Sequence, residues 1–279
     1  MPPTGSRNVP AVRLPGGSEA LLRPLRGREE EWVASLPQDL SEPEFVTALL
    51  ARSVRFVGGK RADTDLIRKL TPGDRDFLLL QIARFTFGPS VELLLTCPDA
   101  ACGARMHAAF DIQSVPVESR EVQASYPLRL PDGRELAFRL PVGEDQEAAV
   151  GWYGIPREEK RARFLARCLL ADAELQGDGA SHALSEAIQA VAPKVDLNFS
   201  ALCPECGRES SHRLEPARWL ISELRQRFPQ FEREVHLLSL HYHWPLREVL
   251  SLSRERRVRW VSMLTRETGH TGRGAASDA

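Results

Sequence analysis

Two cysteine pairs separated by 100 residues (203 − 102 − 1) constrain the fold of this chain more than any other feature. The first pair is Cys97 and Cys102 in "TCPDAACG", and the second is Cys203 and Cys206 in "LCPECG". In each pair, proline follows the first cysteine, glycine follows the second, and an apolar stretch typical of a strand comes before. This framing predicts two tight turns, each with a glycine that can take a positive φ at its exit.

The four cysteines form a pattern typical of the ligand set of a structural zinc site. Zinc binds four thiolates tetrahedrally, with sulfur at about 2.3 Å, and two such turns flanked by strands make a zinc ribbon. We therefore expect Cys97, Cys102, Cys203 and Cys206 to hold one structural Zn²⁺. Four thiolates leave no open position for a substrate, so the site would be scaffolding. The alternatives are two disulfides, which a reducing cytoplasm disfavours, or four unrelated thiols, which would not repeat the proline and glycine framing.

The long connection between the two pairs is no obstacle to a shared site. Lengthening a loop from about 15 to about 100 residues costs roughly 1.7 kcal/mol of closure entropy. Structural zinc contributes an apparent binding free energy of about 10–16 kcal/mol, which is much larger. The connection is tolerated if it folds by itself, and we expect it to form an insertion at about residues 115–195.

Periodicity and turn signals predict an α+β fold in which N-terminal helices and the zinc ribbon carry the insertion and a helical C-terminal extension. The clearest helix follows Thr71, with Pro72 at its first position and Asp74 completing a capping box. Inside the insertion we expect a β-hairpin and helices, one of them capped by Ser181, and we expect Pro229 to break the helices that follow the ribbon. The predicted regions are a flexible N-terminus (1–18), the core (19–215), the helical extension (216–265) and a disordered tail (266–279).

Composition and motifs exclude several classes of function. The formal net charge of −1 argues against a protein that coats nucleic acid, and no apolar run approaches the roughly 18 residues of a membrane helix. The start of the chain shows no secretory signal, so we expect cytoplasmic synthesis and assembly. There is no glycine-rich phosphate loop, nucleophile elbow or H-E-x-x-H motif. We therefore expect no catalytic residues, no small-molecule substrate and no membrane insertion.

Lone histidines and a lone cysteine have simpler interpretations than metal binding. His236, His241 and His243 lie near each other in the sequence, but no carboxylate or cysteine joins them at ligand spacing. We expect them to serve packing or an interface. Cys168, in "RFLARCLLADAEL", is expected to be a small buried apolar residue on a helix.

A basic run and four aromatic residues in the C-terminal part are candidates for contacts. Arginines at four positions of an amphipathic segment predict a solvated or protein-binding face more than a nucleic-acid site, because glutamates dilute their charge: Arg254, Arg256, Arg257 and Arg259. Large aromatic side chains dominate interface energies, so four of them are candidate partner-binding residues, with local core packing as the alternative: Trp219, Tyr242, Trp244 and Trp260.

The run "LTPGDRDFLLLQIARFTFGPSVELLLTCP", returning as "VDLNFSALCPECG", resembles the T4-type phage baseplate hub and hub-assembly family over roughly residues 40–225. That family occurs in contractile phage tails and extracellular contractile injection systems. The segment "VHLLSLHYHWPLREVLSLSRERRVRWVSML" is similar to a small helical protein of the same tail gene sets. The first turn, C-x₄-C, is longer than the usual C-x₂-C.

The resemblance implies a non-catalytic part of a baseplate, or a factor needed to assemble it that is absent from the mature particle. Its partners would be other baseplate, hub, tube or sheath-adjacent subunits. A zinc-ribbon protein that binds nucleic acid is the third alternative, although neither cysteine turn carries a basic stripe.

Overall fold

The computed structural model describes residues 10–36, 41–130, 132–170 and 178–271, and its helices and strands form the predicted α+β fold. The strands are β1 (Ala11–Arg13), β2 (Glu19–Leu22), β3 (Val54–Val57), β4 (Lys60–Arg61), β5 (Ser90–Thr96), β6 (Arg105–Asp111), β7 (Val117–Glu118), β8 (Tyr126–Arg129), β9 (Glu135–Phe138), β10 (Leu169–Leu170), β11 (Lys194–Val195), β12 (Asn198–Leu202) and β13 (Glu209–Arg213). The helices are α1 (Gly27–Ala34), α2 (Glu42–Ser53), α3 (Thr64–Arg68), α4 (Pro72–Phe87), α5 (Gly143–Val150), α6 (Arg157–Ala166), α7 (Asp178–Val191), α8 (Pro216–Tyr242), α9 (Leu246–Val249) and α10 (Arg254–Thr271). Among the described helices, none is both long and apolar enough to cross a membrane.

The main core joins the N-terminal sheet to three helices. Strands β1 to β4 form an antiparallel sheet in chain order. Leu49 of α2, Leu78 and Ile82 of α4, and Leu220 of α8 have no exposed surface and belong to one buried cluster with this sheet. The first half of α8 is thus part of the main core. Because α8 follows the second cysteine hairpin in the chain, it connects that hairpin to the core.

The N-terminal cap of α4 is as predicted and has a second role. The Thr71 hydroxyl oxygen accepts a hydrogen bond from the Asp74 backbone N–H at 3.2 Å, and Pro72 takes the first helical position. The Asp74 carboxylate accepts one hydrogen bond from the Thr71 hydroxyl at 2.9 Å and another from the Gly16 N–H at 2.7 Å. The helix cap therefore anchors the loop between β1 and β2.

The N-terminal segment differs from the predicted flexible region, residues 1–18. Residues 11–13 form β1, which pairs with residues 19–21 of β2, and Leu14 is buried in the main core. Long-range contacts with the α4 cap and β2 order this segment, and its proline and glycine content does not reveal them. Residues 1–9 lie outside the described residues.

The insertion has a core of its own. The predicted hairpin is formed by β8 and β9, and Phe138 of β9 packs with Leu184 of α7 and Cys168. Cys168 is buried as expected, but α6 ends at Ala166, so this cysteine follows the helix. An inserted segment that folds independently needs a separate hydrophobic core, and this cluster provides one for the insertion.

Two predicted boundaries of helices in this part of the chain are wrong. Ser181 does not cap its helix, because α7 begins at Asp178 and Ala180 is already buried against the insertion core. The tail predicted to be disordered from residue 266 is helical as far as Thr271, since α10 continues to that residue. Residues 272–279 lie outside the described part of the chain.

Pro229 does not break the helix as predicted, because α8 runs through it from Pro216 to Tyr242. Proline cannot donate a hydrogen bond to the Arg225 carbonyl and typically costs about 3 kcal/mol in a helix interior. Leu224 before it and Phe231 and Leu238 after it are all buried. Packing on both sides of the proline outweighs the local penalty.

The start of α4 lies so close to the segment before β11 that a side chain at Gly73 has no room. A methyl group there would overlap the Pro193 carbonyl oxygen, which is backbone and cannot turn aside. We expect Gly73→Ala to lower the free energy of unfolding by about 1–3 kcal/mol, as overpacking does. Urea titration measures this, with Gly151→Ala as control because nothing lies within 4 Å of that position. Equal stability of the two variants would contradict the close approach.

Asp76, on the first turns of α4, is expected to make stability depend on pH. Burial raises the pKa of its carboxyl group from 3.8 to about 6, although Arg213 and Arg75 oppose the shift. The folded state thus holds more protons between pH 4 and 6, and stability falls as pH rises through that window. Asp76→Asn should therefore be more stable than the wild type at pH 7 by up to about 3 kcal/mol, at 1.36 kcal/mol per pKa unit.

Guanidinium unfolding at several pH values checks the Asp76 prediction. The difference between Asp76→Asn and the wild type should vanish below about pH 4, where the aspartic acid is protonated in both states. Asp65→Asn is the control, because the Asp65 side chain is 83% exposed. A gain that is the same at pH 4 and pH 7 would contradict the electrostatic explanation.

Candidate metal centre

The structure brings the two cysteine pairs together at the tips of two antiparallel hairpins. Cys97 follows β5 and Cys102 precedes β6, while Cys203 follows β12 and Cys206 precedes β13. The four Sγ atoms all lie within 4.8 Å of one another. The predicted convergence of the distant pairs is therefore observed.

The two hairpins are regular up to the cysteine turns. Seven residue pairs join β5 to β6, from Ser90 opposite Asp111 to Thr96 opposite Arg105. Five pairs join β12 to β13, ending with Leu202 opposite Glu209. Because the pairing is continuous up to the turns, Cys97 and Cys203 each lie at a defined position directly after the last paired residue of the first strand.

Backbone hydrogen bonds close the two turns in the same way. The Cys97 N–H donates to the Ala104 carbonyl at 2.8 Å, and the Cys203 N–H donates to the Arg208 carbonyl at 2.9 Å. Gly103 and Gly207 have φ values of 57° and 69°, in the left-handed region that favours glycine. This is the exit conformation predicted from the glycine that follows each second cysteine.

The distances between sulfurs fit a tetrahedral metal ion. Cys97 Sγ lies 3.7 Å from Cys206 Sγ, and Cys102 Sγ lies 3.8 Å from Cys203 Sγ. A tetrahedron with zinc–sulfur bonds of about 2.3 Å has edges of roughly 3.8 Å. A disulfide requires about 2.05 Å, and these cysteines are free thiols. The geometry agrees with four ligands around one ion and disagrees with two disulfides.

The protein environment acts differently on the thiols. A hydrogen bond from the Cys206 N–H is the largest influence on Cys203, and with the Glu205 N–H and neighbouring thiols it lowers the Cys203 pKa to about 7, against its burial. The Ala104 N–H acts to lower the pKa of Cys102, but burial and neighbouring thiols raise it to about 12. Ligation by a metal requires the thiolate, so metal binding here would release protons.

The four cysteines differ in their exposure to solvent. Cys97 and Cys203 are buried and pack with Met106, whereas Cys206 is exposed. An ion pair of 3.1 Å joins Arg208 of the second turn to Asp99 of the first. This exposed pair contributes at most about 1 kcal/mol, so it helps to align the turns but does not hold them together.

The aromatic residues predicted to bind partners lie in two places away from the cysteines. Trp219 is 8% exposed and belongs to the main core. Tyr242 stacks on Trp244 at a centroid distance of 5.0 Å, and Trp260 meets both rings edge-on at 5.5 and 5.3 Å. These three half-buried rings join α10 to the end of α8, and their role in partner binding stays a prediction.

The histidines of the C-terminal part do not join the cysteine cluster. The four cysteines form that cluster in the described part of the chain, and His236, His241 and His243 are not among its members. His243 ends α8 with a left-handed φ of 52°. All candidate metal ligands in this cluster are therefore cysteines.

One arginine of the basic run is part of the core, contrary to the predicted exposed face. Arg257 has no exposed surface and donates to Glu30 Oε1 at 2.6 Å and to Glu234 Oε2 at 3.2 Å. The sequence held a signal for this, because Arg257 shares a helical face with Val261 and Leu264. Helical periodicity, applied to a charged residue, would have placed it inward.

Comparison with known protein families identifies the chain. The model of the family described as T4 bacteriophage base plate protein matches residues 13–171, more than half of the 279 residues. The match includes Cys97 and Cys102, whereas Cys203 and Cys206 lie beyond it. Comparisons with curated proteins and with solved structures found no match. The resemblance noted in the sequence is confirmed, and the chain belongs to the T4 bacteriophage base plate protein family.

Proposed function

We propose that this chain is a non-catalytic structural subunit of the baseplate, at its hub, in a contractile phage tail or a related contractile injection system. We further propose that one structural Zn²⁺ joins its two cysteine hairpins into a zinc ribbon. The observation that carries the proposal is the convergence of four sulfurs within 4.8 Å of one another, with distances of 3.7 and 3.8 Å across the two hairpins, in a chain of the baseplate family.

The metal would act as a brace between segments that are distant in sequence. Cys97 and Cys102 lie within the family-matched part of the chain, and Cys203 and Cys206 lie on the hairpin whose second strand, β13, precedes α8. A four-thiolate site has no open coordination position, so its contribution is to position the hairpins. The ion would thereby fix the C-terminal helices relative to the matched part.

Contacts with other baseplate proteins would use surfaces of this braced unit. Leu94 of β5 and Leu202 of β12 are 64% and 67% exposed, more than any other leucine in the described part of the chain, and each lies on one of the two cysteine hairpins. Such residues favour protein–protein contact when they are buried in an assembly. Neighbouring hub, tube or sheath-adjacent subunits are the partners we propose.

Quantitative mass spectrometry of purified mature particles tests the proposed role. We expect the chain to be present at a fixed ratio to the other baseplate proteins. Absence from mature particles, together with a failure to assemble when the chain is deleted, would instead identify an assembly factor.

Metal content and nucleic-acid binding are measured on the isolated chain. Elemental analysis should give about one zinc per chain. Retention on immobilised DNA at low salt, lost steeply as salt rises, would support the nucleic-acid alternative and contradict the proposed role.

A further inference from the structure

A cleft lined by arginines opens beside the N-terminal sheet. Its volume is about 470 Å³, and its lining comes from the end of α2, from β3 and β4, and from the segment before α1. The lining contains five arginines and no acidic residue: Arg23, Arg26, Arg52, Arg55 and Arg61. All of them lie in the part of the chain that matches the baseplate family.

The positive charge of this cleft is mostly unbalanced. Arg23 forms a two-pronged ion pair with Glu29, with both nitrogen–oxygen distances 2.9 Å. The same carboxylate also accepts a hydrogen bond from the Arg26 backbone N–H at 2.9 Å. In the described part of the chain, no ion pair joins the guanidinium groups of the other four arginines to an acidic residue. Among the described residues, the Glu29 carboxylate is therefore the acidic group that forms an ion pair with one of the five arginines of the cleft.

The guanidinium groups are partly held in place before any ligand binds. Arg52 lies over the Trp32 ring at 4.1 Å and donates to the Ala48 carbonyl at 2.9 Å. Arg26 is half-buried, and burial, followed by the charge of Arg23, lowers the pKa of its guanidinium. Like charges crowded into a concave, partly desolvated site attract anions more strongly than scattered surface arginines do.

The shape of the cleft favours a short peptide over a nucleic acid. Phe56 is 38% exposed on the cleft wall, next to the apolar Ala51, Val54 and Ala62. A nucleic acid needs a stripe of phosphate contacts, whereas these arginines converge on one compact space in a chain of net charge −1. Planar guanidinium groups pair well with carboxylates, and the apolar wall suits a hydrophobic side chain.

We propose that this cleft binds a short acidic segment of a partner protein. Carboxylates of the segment pair with Arg26, Arg52, Arg55 and Arg61, and an apolar side chain packs against Phe56. The identity of the partner as another baseplate protein rests on the proposed function, but binding by the cleft does not.

The test uses the full chain and a fluorescein-labelled peptide with six glutamates around one phenylalanine. Fluorescence anisotropy should show saturable binding that weakens as salt rises. Loss of a charge-assisted hydrogen bond weakens binding about tenfold, so Arg26→Gln with Arg55→Gln should weaken it about 100-fold. The matched control is Arg157→Gln with Arg161→Gln on α6, which removes the same charge from exposed positions and should bind as the wild type does.

Two results would overturn the inference. The first is a peptide that does not saturate the chain, or that binds the two double variants with equal affinity, provided that thermal melting shows both of them folded. The second is that tripolyphosphate, or a single-stranded oligonucleotide of equal charge, binds more tightly than the peptide and that Arg26→Gln with Arg55→Gln abolishes this binding. That result would identify the cleft as a phosphate site. Both readouts are independent of zinc content and of particle assembly, so failure here is distinguishable from failure of the proposed function.

Discussion

Cys203→Ser is expected to lose its zinc and to loosen the second hairpin. Cys203 is 1% exposed, its sulfur lies 3.8 Å from that of Cys102, and the cluster contains no fifth candidate ligand among the described residues, so the substitution leaves three thiolates. Structural zinc contributes about 10–16 kcal/mol of apparent binding free energy, and much of this is folding free energy. Each cysteine hairpin is paired only within itself among the described strands, and β12 and β13 share five residue pairs against seven for β5 and β6, so the shorter hairpin should depend more on the metal.

Elemental analysis and hydrogen exchange measure the two parts of this prediction. Zinc should fall from about one per chain to below about 0.1, and amide exchange should accelerate in β12 and β13 while the main core stays protected. Cys168→Ala is the matched control, because Cys168 lies in the insertion core and is not one of the four clustered cysteines. Its substitution should leave the zinc content unchanged. Unchanged zinc in Cys203→Ser would refute the shared site.

Arg257→Met is expected to lower the free energy of unfolding by about 3–5 kcal/mol. The substitution leaves Glu30 and Glu234 with buried charges and no compensating cation, which is the costly way to break a buried ion pair. Glu234 Oε1 already has no hydrogen-bond partner among the described atoms. Arg257 also lies over the Phe231 ring at 4.8 Å and donates to the Leu252 carbonyl at 3.1 Å, so its loss should loosen the packing of α10 on α8 and α1.

Denaturant unfolding with two further variants separates charge from packing. Arg259→Met, on the exposed side of α10, should change stability by less than about 0.5 kcal/mol. Replacing Arg257, Glu30 and Glu234 together by methionine should recover most of the loss, because no unpaired charge remains. A triple variant as unstable as Arg257→Met would show that shape complementarity matters more than charge at this position.

The C-terminal helices are bound to the N-terminal part by more than this ion cluster. The Gly27 N–H donates to the Leu252 carbonyl at 3.1 Å, and the Arg28 N–H donates to the Leu250 carbonyl at 3.0 Å. A methyl group at Gly27 would meet the Leu250 backbone at 3.0 Å. The extension predicted for residues 216–265 thus packs directly on α1, a contact between segments more than 200 residues apart.

Features whose signals are local could be predicted from the sequence. The two cysteine turns are specified by their own proline and glycine residues, the start of α4 by Thr71 and Pro72, and the hairpin of the insertion by Asp132 and Gly133. In these cases the residues that set the backbone geometry are neighbours in the chain. The resemblance to the baseplate family depends on the same short segments, and it was confirmed.

Features that depend on distant partners could be recognised only in the folded chain. Pro229 stays inside a helix because the core holds both sides of it, and Arg257 is buried because Glu30, 227 residues away, balances its charge. The ordered strand at residues 11–13 and the arginine cleft likewise arise from segments that meet only in the folded chain. Packing and electrostatic energies over such separations exceed local propensities of about 1–3 kcal/mol, and periodicity within one segment cannot reveal them.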